Sequence, residues 1–484
     1  MPFTLGIDVG TTFLKALLLD EEGRTRKIAA AGYDLRKPRE GFVEQAPGDW
    51  WQALVSAVRE AVQGVPPADV RALALSTQGD TLVPTFDDGR PACPAISWLD
   101  RRAGAECREL LAERPQTWWF GRTGKKLLGS NTASKIRWLQ THRPDLARGA
   151  RFCNVHDHLV RRLTGRFVSD VTNASWTTLF NIERRGWDAE TLALLGLSED
   201  RVSRIVSCGE PIGELTPESA DSLGLTTDTV VAAGAFDQVA ATYGAGVTGA
   251  DEALLSCGTA WVLFVVTPSP VLDDQLRLPA CCFVGDREWG LVCCFTGGAA
   301  YDWLRDVVKG GHLAAEPAGP PLVCLPYVYG EVSPGWDPEA RAAIIGVGLD
   351  HSAEDLQLAL MQALAFEGLR NLEVARGLGV SIEAVRMVGG ASQSPIWPQI
   401  VADVLGVPVT IPVESECAAR GAALLAAKAV GTDLSGKASQ AAASHLVPDA
   451  SRAPRYRELY ECHNAARESL AEVFRKLGDL RSRA

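Results

Sequence analysis

The chain has little that would take it to a nucleic acid or into a membrane. Its 484 residues contain no block of basic residues; 48 Lys and Arg stand against 59 Asp and Glu, a net charge of −11. That balance argues against a nucleic-acid partner and still allows a local basic pocket for a phosphate. No uninterrupted apolar stretch reaches the roughly 18 residues of a membrane span. The opening MPFTLGIDVG has neither a basic region nor a cleavage site, so no secretion signal is read there and a cytoplasmic protein is expected. Low-complexity tracts are absent as well. With 46% apolar and 22% charged residues the composition is globular, and the length suits two large domains or three smaller ones.

The twelve cysteines do not suggest a disulfide framework in such a chain. Their one dense cluster, Cys281-Cys282 and Cys293-Cys294, reads as two strands around a turn at Gly285–Arg287. Adjacent cysteines on a strand point to opposite faces, so four of them converge poorly on zinc; buried reduced thiols are expected.

What is present begins at Leu5–Asp20, LGIDVGTTFLKALLLD. Two apolar runs flank a tight turn, with Asp8 before it and Gly10, Thr11 and Thr12 in it. This reads as a β-hairpin. Such a turn suits a nucleotide phosphate: backbone N–H groups and hydroxyls donate, and the carboxylate can hold Mg²⁺. A surface turn capped by Asp8 would read the same way. Ala253–Val266 repeats the strand–turn–strand pattern, with Gly258 and Thr259 in the turn and no acid, which suggests two halves of common plan meeting near Gly244–Ala253.

Strands and helices alternate in both halves. Helices are expected over Asp49–Gln63 with Asp49 as N-cap, Ala133–Gln140, His158–Leu163, Pro395–Leu405, Ala418–Val430 and Arg455–Leu480. The strongest runs from Ser352, with Asp355 three residues on, to Gly377. Val70–Ser76 and Val385–Val388 are expected strands. Ala315–Pro321 is expected to be a loop.

Three further segments carry chemistry. In TVVAAGAFDQVAATYGAG, Asp237 follows an apolar strand at a helix start, where the dipole favours its charged form; an ionised carboxylate is expected at neutral pH. It could accept a proton from an alcohol, or be a plain helix cap. In MVGGASQSP, Gly389 and Gly390 end a strand before a helix and let a ring or phosphate lie against the backbone. In WLDRR, Trp98 could pack on a sugar skeleton and Asp100 accept its hydroxyls. His156, Asp157 and His158 do not share one helix face and are not read as a metal site.

Taken in order, these segments resemble the FGGY carbohydrate kinases, of the actin/hexokinase ATPase superfamily, from Leu5 to about Gly431. SDVTNASWTTLFNI, PGWDPEARAAIIG and the Asp237-Gln238 pair look most like the glycerol kinase branch. The departures lie on the substrate side. That branch carries Arg-Glu after a Gln, where this chain has Gln78, Gly79 and Asp80; Ser130 and Asn131 stand where a pocket tyrosine is expected. The Met-His signature of many xylulose kinases is also missing. Losing the arginine removes hydroxyl donors, and glycine is expected to leave room for a bulkier acceptor.

The resemblance implies an α/β fold: two actin-like (ribonuclease H-like) domains with mixed sheets flanked by helices and a central cleft. Residues 1–246 would bind the sugar or polyol. Residues 247–484 would bind ATP and end in the helix 455–480. Asp237 would be the catalytic base, and Asp8 with Asp237 would hold Mg²⁺. Gln78, Gly79, Asp80, Trp98, Asp100, Asp237 and Gln238 would meet the acceptor. Gly10, Thr11, Thr12, Lys15, Gly258, Thr259, Gly298, Gly389, Gly390, Ala391 and Ser394 would meet ATP. The expected activity is ATP-dependent phosphorylation of a small sugar or polyol, a pentulose such as xylulose or a polyol larger than glycerol. Glycerol itself, a water-activating ATPase or phosphatase, and a degenerate sugar-binding regulator are the alternatives. A homodimer is left open.

Overall fold

A computed structural model describes residues 2–247, 249–317, 319–434, 436 and 442–481. The chain forms two compact units. The first comprises residues 1–248, 268–290 and 416–440; the second comprises 249–267, 291–415 and 441–484. A single cut after residue 246 does not describe this division, because two later segments return to the first unit.

In the first unit Phe3–Val9, Phe13–Asp20 and Thr25–Gly32 form an antiparallel meander. Val70–Thr77 and Val230–Phe236 extend the sheet in parallel on the other side of Phe3–Val9, and Pro211–Glu214 closes that edge. Leaving out the edge strand, the spatial order is 3-2-1-4-5. The pleat sends alternate side chains to opposite faces. Leu5, Ile7 and Val9 are fully buried in one cluster with Trp50, Leu54 and Val58 of the helix Pro47–Ala61. Gly6 and Asp8 point the other way. That helix starts two residues before Asp49, because Pro47 suits the first turn, where its missing N–H is not needed.

The other face receives Cys417–Ala429, a helix from late in the chain. It approaches so closely that a Cβ on Gly6 would overlap the Ala419 carbonyl oxygen, one on Gly244 that of Cys417, and one on Gly421 that of Ala240.

The second unit repeats the order. Asp251–Cys257 pairs antiparallel with Ala260–Thr267 and parallel with Ile382–Gly389, which pairs parallel with Val409–Pro412. Trp289–Thr296 lies beyond Ala260–Thr267, and Ala442–Leu446 closes the far edge antiparallel to Val409–Pro412. The common plan of the two halves is thus present as shared topology. The long helix Ala353–Gly377 starts at the Ser352/Asp355 capping box, both reciprocal bonds being made.

That helix is tied to the terminal helix Ala453–Arg481 by a buried charge cluster. Glu367 accepts from Tyr327 Oη (2.6 Å) and Arg370 Nη1 (2.9 Å), and lies 2.9 Å from His463 Nε2. Arg370 also pairs with Glu331 at 2.8 Å. His463 Nδ1 lies 2.9 Å from the Cys324 carbonyl. These partners hold the Glu367 carboxyl at about 2 although burial alone would raise it.

A buried charge left without its partner is expensive. Glu367→Ala is therefore expected to destabilise the protein by about 3–5 kcal/mol. Tyr327→Phe, which removes one donor to the charged carboxylate, is expected to cost about 1.5–3 kcal/mol. Denaturant unfolding followed by circular dichroism measures both.

Candidate functional site

The turn Gly10–Thr12 joins the first two strands of the first unit and is pinned from several sides. Gly10 N donates to Phe13 O (3.0 Å). The Gly10 carbonyl accepts from Tyr33 Oη (2.6 Å) and Gln78 Nε2 (3.1 Å). The Thr11 carbonyl accepts from Gln45 Nε2 (2.7 Å), and Thr11 Oγ1 accepts from Trp98 Nε1 (3.1 Å). Thr12 is exposed. Lys15 does not stand free: its ammonium pairs with Glu416 at 2.6 Å, just before the helix Cys417–Ala429.

Two carboxylates belong to this unit. Asp8 accepts from Ser76 Oγ at 2.7 Å, across the register pair Asp8–Ser76. Burial pushes its carboxyl up to about 6. Asp237 opens the helix Asp237–Gly244 as its first residue, Phe236 being the N-cap. Its Oδ1 is buried and has no hydrogen-bond partner. Burial, and then the charge of Asp8, push it up to about 7, against bonds from the Gln238 backbone and side chain that lower it. The expectation of full ionisation at neutral pH is corrected here: desolvation and a neighbouring carboxylate outweigh a helix-start dipole. Gln238 Oε1 is likewise buried without a partner.

The remaining acceptor-side residues are mostly consumed within the protein. Gln78 bonds Gly10, Gln45 and Thr81. Asp80, at φ 55°, accepts from Asn131 Nδ2 (2.5 Å), Thr132 N (2.9 Å) and Thr132 Oγ1 (2.5 Å), and so holds the start of the helix Thr132–His142. Asp100 is fully buried, accepting from Val43 N (2.6 Å) and clamping Arg102 through both oxygens. Trp98 is 44% exposed, which leaves its ring open.

Gly79 does not leave room. A Cβ there would overlap Trp176 Cδ1 and lie 2.7 Å from Phe236 Cε2. The volume a side chain at 79 would take is occupied by Trp176 and Phe236, and no role was expected of Trp176. The cue was a bulky ring inside SDVTNASWTTLFNI, but nothing local tells which distant glycine it will cover.

In the second unit the turn at Gly258 and Thr259 is bonded to the start of the helix Gly298–Val308: Gly298 N donates to Gly258 O (2.9 Å) and Ala299 N to Thr259 O (3.1 Å). Gly389 has φ +93°, and a Cβ there would lie 2.5 Å from the Cys257 carbonyl oxygen, so only glycine fits. Gly258, Thr259, Gly298, Gly390, Ala391 and Ser394 together line one cavity of about 500 Å³. Tyr301 and Arg305 also line it, from the face of Gly298–Val308 that carries Gly298. Their spacing of three and seven residues from Gly298 was the available signal. A larger groove of about 830 Å³ in the first unit, along Arg151, Trp187 and Arg204, includes none of the expected residues.

Among the described residues no three His, Cys, Asp or Glu side chains converge as a metal cluster, and no helix is long and apolar enough to cross a membrane.

Sequence comparison matches residues 3–244 to the N-terminal domain, and residues 253–430 to the C-terminal domain, of the FGGY family of carbohydrate kinases. The chain is 30% identical to xylulose kinase of Escherichia coli over 83% of its own length and 84% of that protein. It is 33% identical to glycerol kinase of Thermus brockianus over 87% and 89%. Xylulose kinase from Rhodospirillum rubrum superposes with a TM-score of 0.89 at 28% identity, covering 97% of this chain and 99% of that one.

Asp237 binds its proton more tightly when folded than when unfolded, so it costs stability as pH rises from about 4 to about 7 and no more above that. Asp237→Asn is expected to melt higher than the parent, by roughly a few degrees. The gap should open across that window and then level off. Thermal unfolding against pH, without nucleotide and with a chelator present, measures it.

Proposed function

The chain belongs to the FGGY family of carbohydrate kinases, and from that premise we propose that its acceptor is a five-carbon ketose such as xylulose, or a polyol larger than glycerol. The activity is ATP-dependent phosphorylation of a hydroxyl on a small sugar or polyol. The observation that carries the assignment of roles is the buried, unpartnered Oδ1 of Asp237. A carboxylate raised to about 7 is poised to take a proton from an alcohol near neutral pH.

Asp237 accepts the proton of the acceptor hydroxyl, and the Gln238 amide orients that carboxylate. Trp98 offers its open ring to the carbon skeleton, while its indole N–H steadies Thr11. Gln78, Asp80 and Asp100 act at one remove, by fixing the turn, the helix Thr132–His142 and Arg102. The glycine-lined cavity of the second unit takes the nucleotide. Gly258, Thr259 and Gly298 face its phosphates, and Gly390, Ala391 and Ser394 its base. Transfer needs positioning and charge neutralisation more than covalent help from the protein.

Two carboxylates with a spare buried oxygen form a donor set that fits Mg²⁺, which keeps most of its waters and takes one or two carboxylates besides phosphate oxygens. Asp8 and Asp237 would hold it. When bound it would neutralise charge on the phosphates. The proposal places the enzyme in the cytoplasm, where ATP is supplied and thiols stay reduced.

Loss of arginine donors at position 79 weighs against glycerol, since a small triol depends on hydrogen bonds for most of its affinity. ADP release over pentuloses, hexuloses, pentitols, tetritols and glycerol is the test. One pentulose or larger polyol is expected to stand far above the rest. Asp237→Asn is expected to lower kcat by about 10²–10⁴-fold with little change in the KM for ATP. Steady ATP hydrolysis indifferent to any acceptor would instead identify a water-activating ATPase.

A further inference from the structure

The short helix Val171–Trp176 is fastened to two strand ends of the first unit. Asp170 caps it, accepting from Thr172 N and Asn173 N at 2.9 Å each. Thr172 Oγ1 accepts from Phe236 N (2.8 Å), immediately before Asp237. Asn173 Oδ1 accepts from Thr77 Oγ1 (3.0 Å), two residues before Gly79. The last residue of the helix is therefore delivered to a fixed place between the strand end that leads to Gly79 and the one that leads to Asp237.

Trp176 fills that place. Its ring stacks on Phe236 with centroids 4.6 Å apart and planes 13° from parallel. The Lys125 ammonium lies 5.2 Å from its ring centroid and donates to the carbonyls of Thr123 and Ser175. Burial pushes Lys125 down to about 8, which still leaves it charged at neutral pH. Stacking and a nearby cation, added to the anchored helix, hold the ring rigidly. Phe236 is buried, but Trp176 is only half-buried. The residue it stacks on, Phe236, directly precedes Asp237.

We propose that Trp176 is a specificity-determining residue: its ring occupies the space over Gly79 and acts as a stop that limits the length of the acceptor whose hydroxyl is seated at Asp237. This rests on the kinase reading above. A rigid aromatic stop rejects an extra carbon by steric overlap, and one methylene in such a pocket discriminates by about 10–200-fold. Gly79 and Trp176 are then a complementary pair. A side chain at one position requires a smaller one at the other.

The test uses the full-length chain and four variants: Trp176→Ala, Trp176→Leu, Gly79→Ala, and Gly79→Ala combined with Trp176→Ala. Specificity constants are measured for ketoses and polyols of three to six carbons, with the KM for ATP and the Tm alongside. Both Trp176 variants are expected to raise the six-carbon to five-carbon ratio of kcat/KM by about tenfold or more, with the KM for ATP nearly unchanged. Gly79→Ala is expected to lower the Tm more in the parent than in the Trp176→Ala background, where only the overlap with Phe236 is left. Equal losses for every acceptor in an active enzyme would overturn the proposal and leave the kinase reading standing, as would a Gly79→Ala penalty that is the same in both backgrounds. A parent chain that phosphorylates no acceptor would overturn both.

Discussion

The site depends on a contact from which side chains are excluded. The helix Cys417–Ala429 lies on the first unit's sheet at Gly6 and against the helix Asp237–Gly244 at Gly244 and Gly421, each without room for a Cβ. Each element in this contact carries or borders a site residue. Gly6 is two residues before Asp8. Gly244 ends the helix that Asp237 begins. Glu416, directly before the late helix, holds Lys15. Backbone-to-backbone packing has no flexible side chain to absorb error, so it fixes these three elements more tightly than an interdigitated leucine interface would. The two carboxylates stay half-buried and near each other, and their raised affinity for protons follows from that placement.

The substitutions on the acceptor side make sense as sets rather than singly. Glycine at 79 and tryptophan at 176 share one volume. Aspartate at 80 is matched by Asn131 and Thr132, which take both of its oxygens. A residue-by-residue reading sees a lost donor, an emptied space and a missing ring. The folded chain has refilled the space with an aromatic wall and spent the acid on the start of a helix.

Local patterns carried most of the architecture. The hairpin at Leu5–Asp20, the Ser352/Asp355 capping box and the strand-to-helix junction at Asp237 are decided by neighbours in sequence, and they are legible there. Gly258 and Thr259 in one turn and Gly390, Ala391 and Ser394 in another were visible as motifs, whereas Gly298 rested on the resemblance alone and Tyr301 and Arg305 beside them were not read. What escaped depends on long-range placement. The desolvation that raises Asp237 comes from elements far away in the chain. So does the return of residues 268–290 and 416–440 to the first unit. The Glu367–Arg370–His463 cluster joins two helices nearly a hundred residues apart, and no periodicity announces it.

The shared strand order makes the difference between the two units more telling than their likeness. In the first, Asp8 sits two residues before the turn glycine and faces Ser76 on the neighbouring parallel strand. In the second, the same position before Gly258 is Ser256, facing Val388. A buried carboxylate costs stability wherever it is kept, because its charge must leave water. The second unit lacks it at this position and lines its cavity with Gly258, Gly298 and Gly390 beside Thr259, Ser394 and Arg305, a lining that suits an anionic ligand bringing its own charge. The first unit bears the cost of two carboxylates, Asp8 and Asp237, which under the proposed role of Asp237 is where a proton is taken from a neutral hydroxyl. One topology thus supports two kinds of binding surface, and the residue before the turn separates them.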